Sequence, residues 1–447
     1  MKKSRPLAAW NIYEADNLLI ILTIFTCTYF IFRDFGIRMI YGYLIMAAFL
    51  GMNMLRHILT GKPYSILRMQ VLLLVLAAVI LVNYLRPDSR HDEDTQSYVI
   101  AMLIITIFVF FSNPTVREIR TSFRIFLATA AAFAVYVGFF VWKKSLFWET
   151  VYPHLSATAA EYLDYYVPRG YSVTIGGVTY TNYILMMGIA VAAGLFLVLK
   201  SERKKSRVWL LVLIAFFVLV IMLTGRRGEF VGAVAACVVV YVLSGNRRQR
   251  LKRMIWLIVL AAAAVGILYA ALPALKNIDA LYRYVLTIER AINGADITSG
   301  RTELYALAFS LFLTSPVIGI GWGSFANFIP DAFREIHGNV DDVHNIYLQF
   351  LCETGVVGAV LIMVPLFWIY GMTYRQFKIL QQRKPQDADG QLIQAANGIS
   401  FFIQTFLLIM GIFDPCFERL VFWCFYGIAV IFAAAARRMA IHREGQA

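Results

Sequence analysis

A few residues of this chain have the types and spacing to move a proton and to hold an anion. His344 follows Asp341 and Asp342 closely, where a polar stretch meets an apolar run that begins at Ile346. Histidine is the usual general base for a hydroxyl, because its ordinary pKa lies near neutrality. A neighbouring carboxylate would orient its ring and favour its protonated form. Arg226 and Arg227 stand together in the turn TGRRGEF, and Arg301 follows Gly300 at the head of an apolar stretch. Guanidinium groups offer a planar fork of donors that matches phosphate and diphosphate oxygens.

Each of these residues also has a plainer reading. Arg226 and Arg227 could snorkel to lipid headgroups, and Glu229 could neutralise one of them. Arg301 could be a solvated helix-start residue paired with Glu303. Asp341 and Asp342 could be solvated loop charges. Glu353 lies in the apolar run, where an ionisable group is a functional candidate by default. It could equally be a structural acceptor in a bundle interior. Gly355 and Gly358 after it would allow close helix approach. Arg169 is a further basic group available for support. There is no HExxH or P-loop motif, and histidines are few, so neither a metal nor a cofactor is expected. The five cysteines have no CxxC spacing, which supports neither a zinc site nor a disulfide framework.

The elements that must position these residues are transmembrane helices. The chain has 447 residues, of which 60% are hydrophobic and 15% charged, against about a quarter charged in soluble domains. Continuous apolar runs point to an all-α polytopic membrane protein with about twelve spans, and exclude a β-barrel. The spans are expected at residues 17–32, 37–55, 66–85, 98–111, 122–142, 180–199, 208–223, 230–243, 254–272, 346–370, 396–412 and 421–436. The first reads as a retained span, since no small-residue cleavage site follows it. The whole chain reads as a single integral membrane domain, without a soluble domain or a visible repeat.

Placing both termini inside puts most Lys and Arg on the inner loops, such as SERKKSR and NRRQRLKR, which is the positive-inside pattern. The net charge of +14 then follows from topology, and no nucleic-acid partner is needed. Three segments fall on the outer side: a loop at 143–178 that includes Arg169, the Arg226–Arg227 turn, and a long loop at 273–345. Within the long loop, residues 300–328 are apolar enough for a short helix on or in the membrane surface.

The run GRTELYALAFSLFLTSPVIGIGWGSF, followed by VHNIYLQFLCETGVVG, resembles the signature region of the O-antigen ligase / O-antigen polymerase superfamily. The TGRRGEF turn is similar to that family's Ser/Thr-x-x-Arg-Gly turn. The resemblance covers residues 224–358. It implies a C-type glycosyltransferase-like fold with short helices in a long periplasmic loop of the bacterial inner membrane. It also implies transfer of a glycan from undecaprenyl diphosphate to an acceptor hydroxyl. By the same resemblance Arg227 (or Arg226) and Arg301 hold the diphosphate, and His344 is the base of an inverting, metal-independent displacement.

Ligation of O-antigen onto lipid A–core is the leading expectation. Polymerisation of lipid-linked repeats is the alternative. A lipid-linked glycan transporter is the third reading, but the charges gather at one face, whereas transporters place them near the midplane. The expected partners are the lipid-linked donor, the lipid A–core or lipid-linked repeat acceptor, and membrane lipids.

Overall fold

A computed structural model describes residues 17–444, apart from 39, 62–63, 200–202, 260–280, 295–297, 299, 338–339 and 384–386. The described chain is helical throughout. The helices are α1 (Leu18–Asp34), α2 (Ile40–Thr60), α3 (Arg68–Tyr84), α4 (Glu93–Phe111), α5 (Val116–Trp142), α6 (Lys144–Thr150), α7 (Ala157–Tyr166), α8 (Val178–Val198), α9 (Lys204–Leu223) and α10 (Arg227–Leu243). After α11 (247–259) come α12 (Tyr282–Ile292), α13 (Arg301–Thr314), α14 (Asp331–His337), α15 (Ile346–Gln382), α16 (Ala388–Met410) and α17 (Leu420–Glu444).

Seven of these helices are long and apolar enough to cross a membrane: α2, α5, α8, α9, α15, α16 and α17. Helices α1, α3 and α10 have 17 residues each, as does the apolar part of α4, which is about the shortest length that spans. The expected spans therefore coincide with helices, save that 260–272 of the ninth lies outside the described residues. The differences are at the ends. Helix α5 starts at Val116, because Thr115 and Glu118 form a reciprocal cap: Glu118 N donates to Thr115 Oγ1 (3.3 Å) and Thr115 N to Glu118 Oε2 (2.7 Å).

Helices α8, α16 and α17 form the centre, with 78, 89 and 94% of their apolar windows buried, against 11% for α2 and 17% for α9. Hydrogen bonds cross the apolar interior, from Gln404 Nε2 to Thr373 Oγ1 (3.0 Å) and from Ser400 Oγ to Ala429 O (2.6 Å). Peripheral helices present bare apolar side chains such as Leu44, Ile45, Trp209 and Trp368. A surface this apolar is stable against lipid, not water.

One end of the bundle collects the irregular chain. The sequence expectation names three segments on this side. The structure brings two short connections, 85–92 and 411–419, to the same end. Arg90 N donates to Trp322 O (2.8 Å), and Ile346 N donates to Gly411 O (2.8 Å).

Helix α15 is broken at Gly355 (φ 62°, ψ −173°). The break frees main-chain groups, and the strip 316–321 takes them up. Ile320 N and Gly321 N donate to Cys352 O (3.1 Å) and Glu353 O (2.9 Å). In return Val356 N donates to Pro316 O (2.8 Å) and Val357 N to Val317 O (3.2 Å). The approach leaves no room for a side chain. A Cβ on Gly319 or Gly355 would lie 2.3 Å from facing main chain.

Candidate active site

Arg226 caps α10 after Gly225, whose φ of 81° turns the chain. Its Nη1 contacts Glu229 Oε1 at 3.2 Å and Asp414 Oδ2 at 3.3 Å, while Arg419 Nη1 contacts Asp414 Oδ1 at 3.3 Å. One buried carboxylate thus bridges two guanidiniums. Burial opposes the charge on both arginines. Glu229, Tyr162 and Asp414 together outweigh this at Arg226, and Asp414 with Asp342 and Tyr183 does so at Arg419, so both pKa values lie above the ordinary arginine range. Arg227 points elsewhere and donates to Thr287 Oγ1 on α12. Sequence reasoning missed Asp414 and Arg419. The available signal was a carboxylate and an arginine in DPCFER between two apolar runs.

His344 sits in the left-handed region with φ 55°, which costs about 1–3 kcal/mol for a non-glycine residue and tends to mark functional positions. Two contacts hold it there. Its backbone N–H donates to Asp342 Oδ1 (2.8 Å), and Nδ1 lies 3.0 Å from the same oxygen. The ring contact has ion-pair distance without hydrogen-bond alignment, so the carboxylate acts on the imidazole mainly through charge. Burial raises the Asp342 pKa, but His344 and Arg419 outweigh it and hold the carboxyl below its usual range. Asp342 is therefore ionised at neutral pH. The next residue, Asn345, caps α15 by accepting from Tyr347 N (3.1 Å) and Leu348 N (3.2 Å), which fixes where the polar loop joins the span. Asp341 is more exposed and pairs with Arg334 at 3.6 Å.

Arg301 begins α13 after Gly300, whose φ is 82°. Among the described residues it has no carboxylate partner, and Glu303 does not pair with it. Tyr305, one turn on, reaches toward His344 O (3.4 Å) and links Arg301 to the histidine loop. Arg283 on α12 also lacks a carboxylate partner among the described residues. Its guanidinium lies 3.7 Å from the centre of the Tyr171 ring, which Arg226 approaches at 5.8 Å, and its Nη1 is buried without an acceptor. Burial, together with the like charge of Arg301 and partly offset by Tyr284, lowers the Arg283 pKa to about 10.

Glu353 is 1% exposed. It accepts from Gly323 N (2.9 Å), Phe325 N (3.3 Å) and Gln349 Nε2 (3.4 Å), so it holds the turn that follows the 316–321 strip. Of its two sequence readings the geometry is that of the structural acceptor. Arg169 folds back on its own helix end: Nη1 donates to Tyr165 O (2.6 Å), and the guanidinium stacks 3.7 Å over the Tyr165 ring.

A cavity of about 540 Å³ opens beside this cluster. Arg226, Arg419, Asp341 and Asp342 line it, whereas Arg227, Arg301, His344, Glu353 and Arg169 are not among its walls. Tyr166 lines it too and stands edge-on to Tyr171 with ring centres 5.2 Å apart. The Arg283–Arg301 pair therefore lies just behind the aromatic wall. The arrangement combines an ionised carboxylate–histidine unit with arginines that lack a counter-charge among the described residues, which suits removing a proton near an anionic group.

Residues 211–363 match the O-antigen ligase family, which supports a place for the chain in the O-antigen ligase superfamily. The matched segment runs from within α9 to within α15. It includes Arg226, Arg227, Arg283, Arg301, Asp342 and His344. Asp414, Arg419 and most of the cavity wall lie outside it. No curated protein matches the chain.

Proposed function

We propose, taking the O-antigen ligase domain at residues 211–363 as the premise, that this membrane protein is a glycosyltransferase. It moves a glycan from undecaprenyl diphosphate to a hydroxyl of lipid A–core. The observation that carries the reading is the pair Arg283 and Arg301, two arginines without a carboxylate partner among the described residues, at the same end of the bundle as the Asp342–His344 unit. A diphosphate would supply the missing negative charge.

In the proposed reaction Arg301 and Arg283, with Arg227 of the turn, bind the diphosphate and stabilise the charge that grows on it as it leaves. Arg226 faces the cavity, but Glu229 and Asp414 already neutralise it, so Arg227 is the arginine of the turn assigned to the diphosphate. The acceptor oxygen attacks the anomeric carbon, and the new C–O bond forms as the bond to the diphosphate oxygen breaks. The electron pair stays with the diphosphate. The acceptor proton passes to His344 Nε2, and the ionised Asp342 stabilises the resulting imidazolium. One displacement inverts the anomeric centre. The lysine- and arginine-rich loops at the other end of the bundle support an inner-membrane orientation with both termini cytoplasmic and the site facing the periplasm.

The test is reconstitution of purified protein with undecaprenyl-diphosphate glycan, with and without lipid A–core. Transfer only when lipid A–core is present supports ligation. A ladder of longer lipid-linked glycans without it identifies a polymerase. His344→Ala should lower kcat by about 10²–10⁴-fold in a folded protein, and wild-type turnover would remove the histidine from the base role.

A further inference from the structure

The part of the cavity away from the arginine–carboxylate wall is built mainly by the first half of the chain, outside the matched segment, and is completed by Trp322 from within it. Tyr29, Tyr43, Tyr98 and Tyr162 line it, with Trp322 from the strip after α13. Trp322 is 3% exposed and stacks on Phe350, with ring centres 5.8 Å apart at 26°. Its Nε1–H is buried with no acceptor among the described residues. A buried indole N–H is normally satisfied, and this one belongs to a residue that lines the cavity. Arg90 and Asp92 meet there as a pair. Aromatic faces, hydroxyls, an unused N–H and an Arg–Asp pair form a lining suited to sugar rings, whose C–H faces stack and whose hydroxyls both donate and accept.

A second hollow adjoins it. Between α1 and α2 runs an apolar groove of about 260 Å³, walled by Ile24, Phe25, Phe32, Ile45 and Met46. Tyr29 belongs to both linings, so groove and cavity share a wall. Arg38 stands at the groove and Arg33 at the cavity, and both are exposed. The groove is reachable from the side because α2 is little buried, with Met46 and Asn53 as its buried residues. An apolar slot that includes Arg38 thus adjoins, across Tyr29, an aromatic and hydroxyl cavity that includes Arg33, which also pairs with Asp34 at 3.3 Å. Hydrocarbon, cationic and sugar-binding surfaces in one place match the chain, phosphate and sugar of a phosphorylated glycolipid.

The geometry points to an acceptor site in which acyl-chain hydrocarbon of lipid A–core lies in the α1–α2 groove and its core sugar lies in the cavity, donating to or accepting from residues that include Trp322. The assignment to acceptor and not donor rests on the transfer reading above. A single displacement needs both substrates at one base, and the diphosphate is assigned to the arginines of the matched segment. The specificity-determining surface would then lie mainly in the part of the chain that the family does not match.

Two variants test this. Trp322→Phe keeps the ring and removes the N–H. Ile45→Trp projects bulk from an exposed position into the groove. Each is assayed with undecaprenyl-diphosphate glycan as donor and either lipid A–core or its fully deacylated oligosaccharide as acceptor. Binding of lipid A–core is measured separately without donor. Trp322→Phe should raise KM for both acceptors by about 10-fold, the effect of one hydrogen bond. Ile45→Trp should raise KM for the acylated acceptor alone by at least a similar factor, and neither should change the donor KM. A rise confined to the donor KM overturns the assignment and gives the groove to the isoprenoid chain. Unchanged KM values in a wild type that transfers also overturn it. Wild-type binding of lipid A–core that both substitutions weaken, without transfer, would support the site and remove the transfer reading. Neither binding nor transfer of lipid A–core would remove both.

Discussion

Two pairs of arginines at the same end of the bundle are treated in opposite ways. Arg226 and Arg419 share Asp414, and Arg226 also has Glu229. Among the described residues Arg283 and Arg301 have no carboxylate partner, and the first carries a buried N–H without an acceptor there. The residue type is the same, so the counter-charge separates the roles. A neutralised arginine holds elements together, here α10 and the 411–419 connection. An arginine left without a protein anion is poised for an anion from elsewhere. Counting arginines on one side of the membrane does not distinguish the two.

The largest effect expected from this contrast is on stability. Asp414→Ala removes the bridge and leaves Arg419, which is 32% exposed, without its carboxylate, while Arg226 keeps Glu229. A loss of about 1–3 kcal/mol is expected, less than for a fully buried pair, read as a lower melting temperature in detergent. A melting temperature equal to that of the wild type would mean that the bridge does not hold the fold.

Arg301→Ala should do the reverse. It should leave the melting temperature unchanged and raise the donor KM by about 10–100-fold, the range for a charged hydrogen bond. Melting like the Asp414 variant would erase the contrast. Arg283→Ala should act in the same direction more weakly, by about 3–10-fold, because it also forgoes stacking on Tyr171. No change in donor KM would place Arg283 outside the anion site.

Asp342 sharpens the comparison through pH. Its folded pKa is depressed, so its contribution to stability is complete above the ordinary aspartate value of about 3.9. That contribution is lost only as pH falls through the lower folded value. The difference in melting temperature between wild type and Asp342→Asn should therefore not shrink as pH is lowered from about 8 to about 5, because the carboxylate stays ionised throughout and favours a protonated His344. A difference that shrinks as pH drops from 6 to 5 would contradict the depressed pKa. The smallest effect is expected at Glu353. Glu353→Gln keeps an oxygen for Gly323 N or Phe325 N and should cost about 1 kcal/mol of stability, with kcat close to wild type. A loss of turnover without a loss of stability would return Glu353 to a direct role.

The helices were legible because apolar runs of spanning length admit few other structures. His344 and Arg301 were legible because each breaks the local pattern, one where a polar loop meets a span and the other at the head of an apolar stretch. The Arg226–Asp414 bridge was not, since its partners lie 188 residues apart and nothing local encodes the meeting. Arg283 was hidden for a related reason. It lies in an ordinary amphipathic stretch, and what marks it is the lack of a carboxylate partner among the described residues, which only three dimensions reveal. The role of Glu353 turned on the main-chain direction at Gly323 and Phe325, and glycine positive φ values set that direction without naming it in the sequence.

The joint between connection 85–92 and strip 318–324 sets side chains against main chain: the Arg86 guanidinium donates to Ile318 O and Gly319 O, and two serine hydroxyls take part. Arg90 N donates to Trp322 O, Trp322 N donates to Ser89 Oγ (3.0 Å), and Ser324 Oγ donates to Asp88 O (2.6 Å). Such a seam ties its register to three side chains, Arg86, Ser89 and Ser324, and leaves the others around it free to vary. On the acceptor-site proposal, the first half of the chain could thus be rewritten around its cavity with Arg86 and Ser89 kept, and a chimera spliced outside this seam would inherit the substrate preference of whichever parent supplied helices α1–α4.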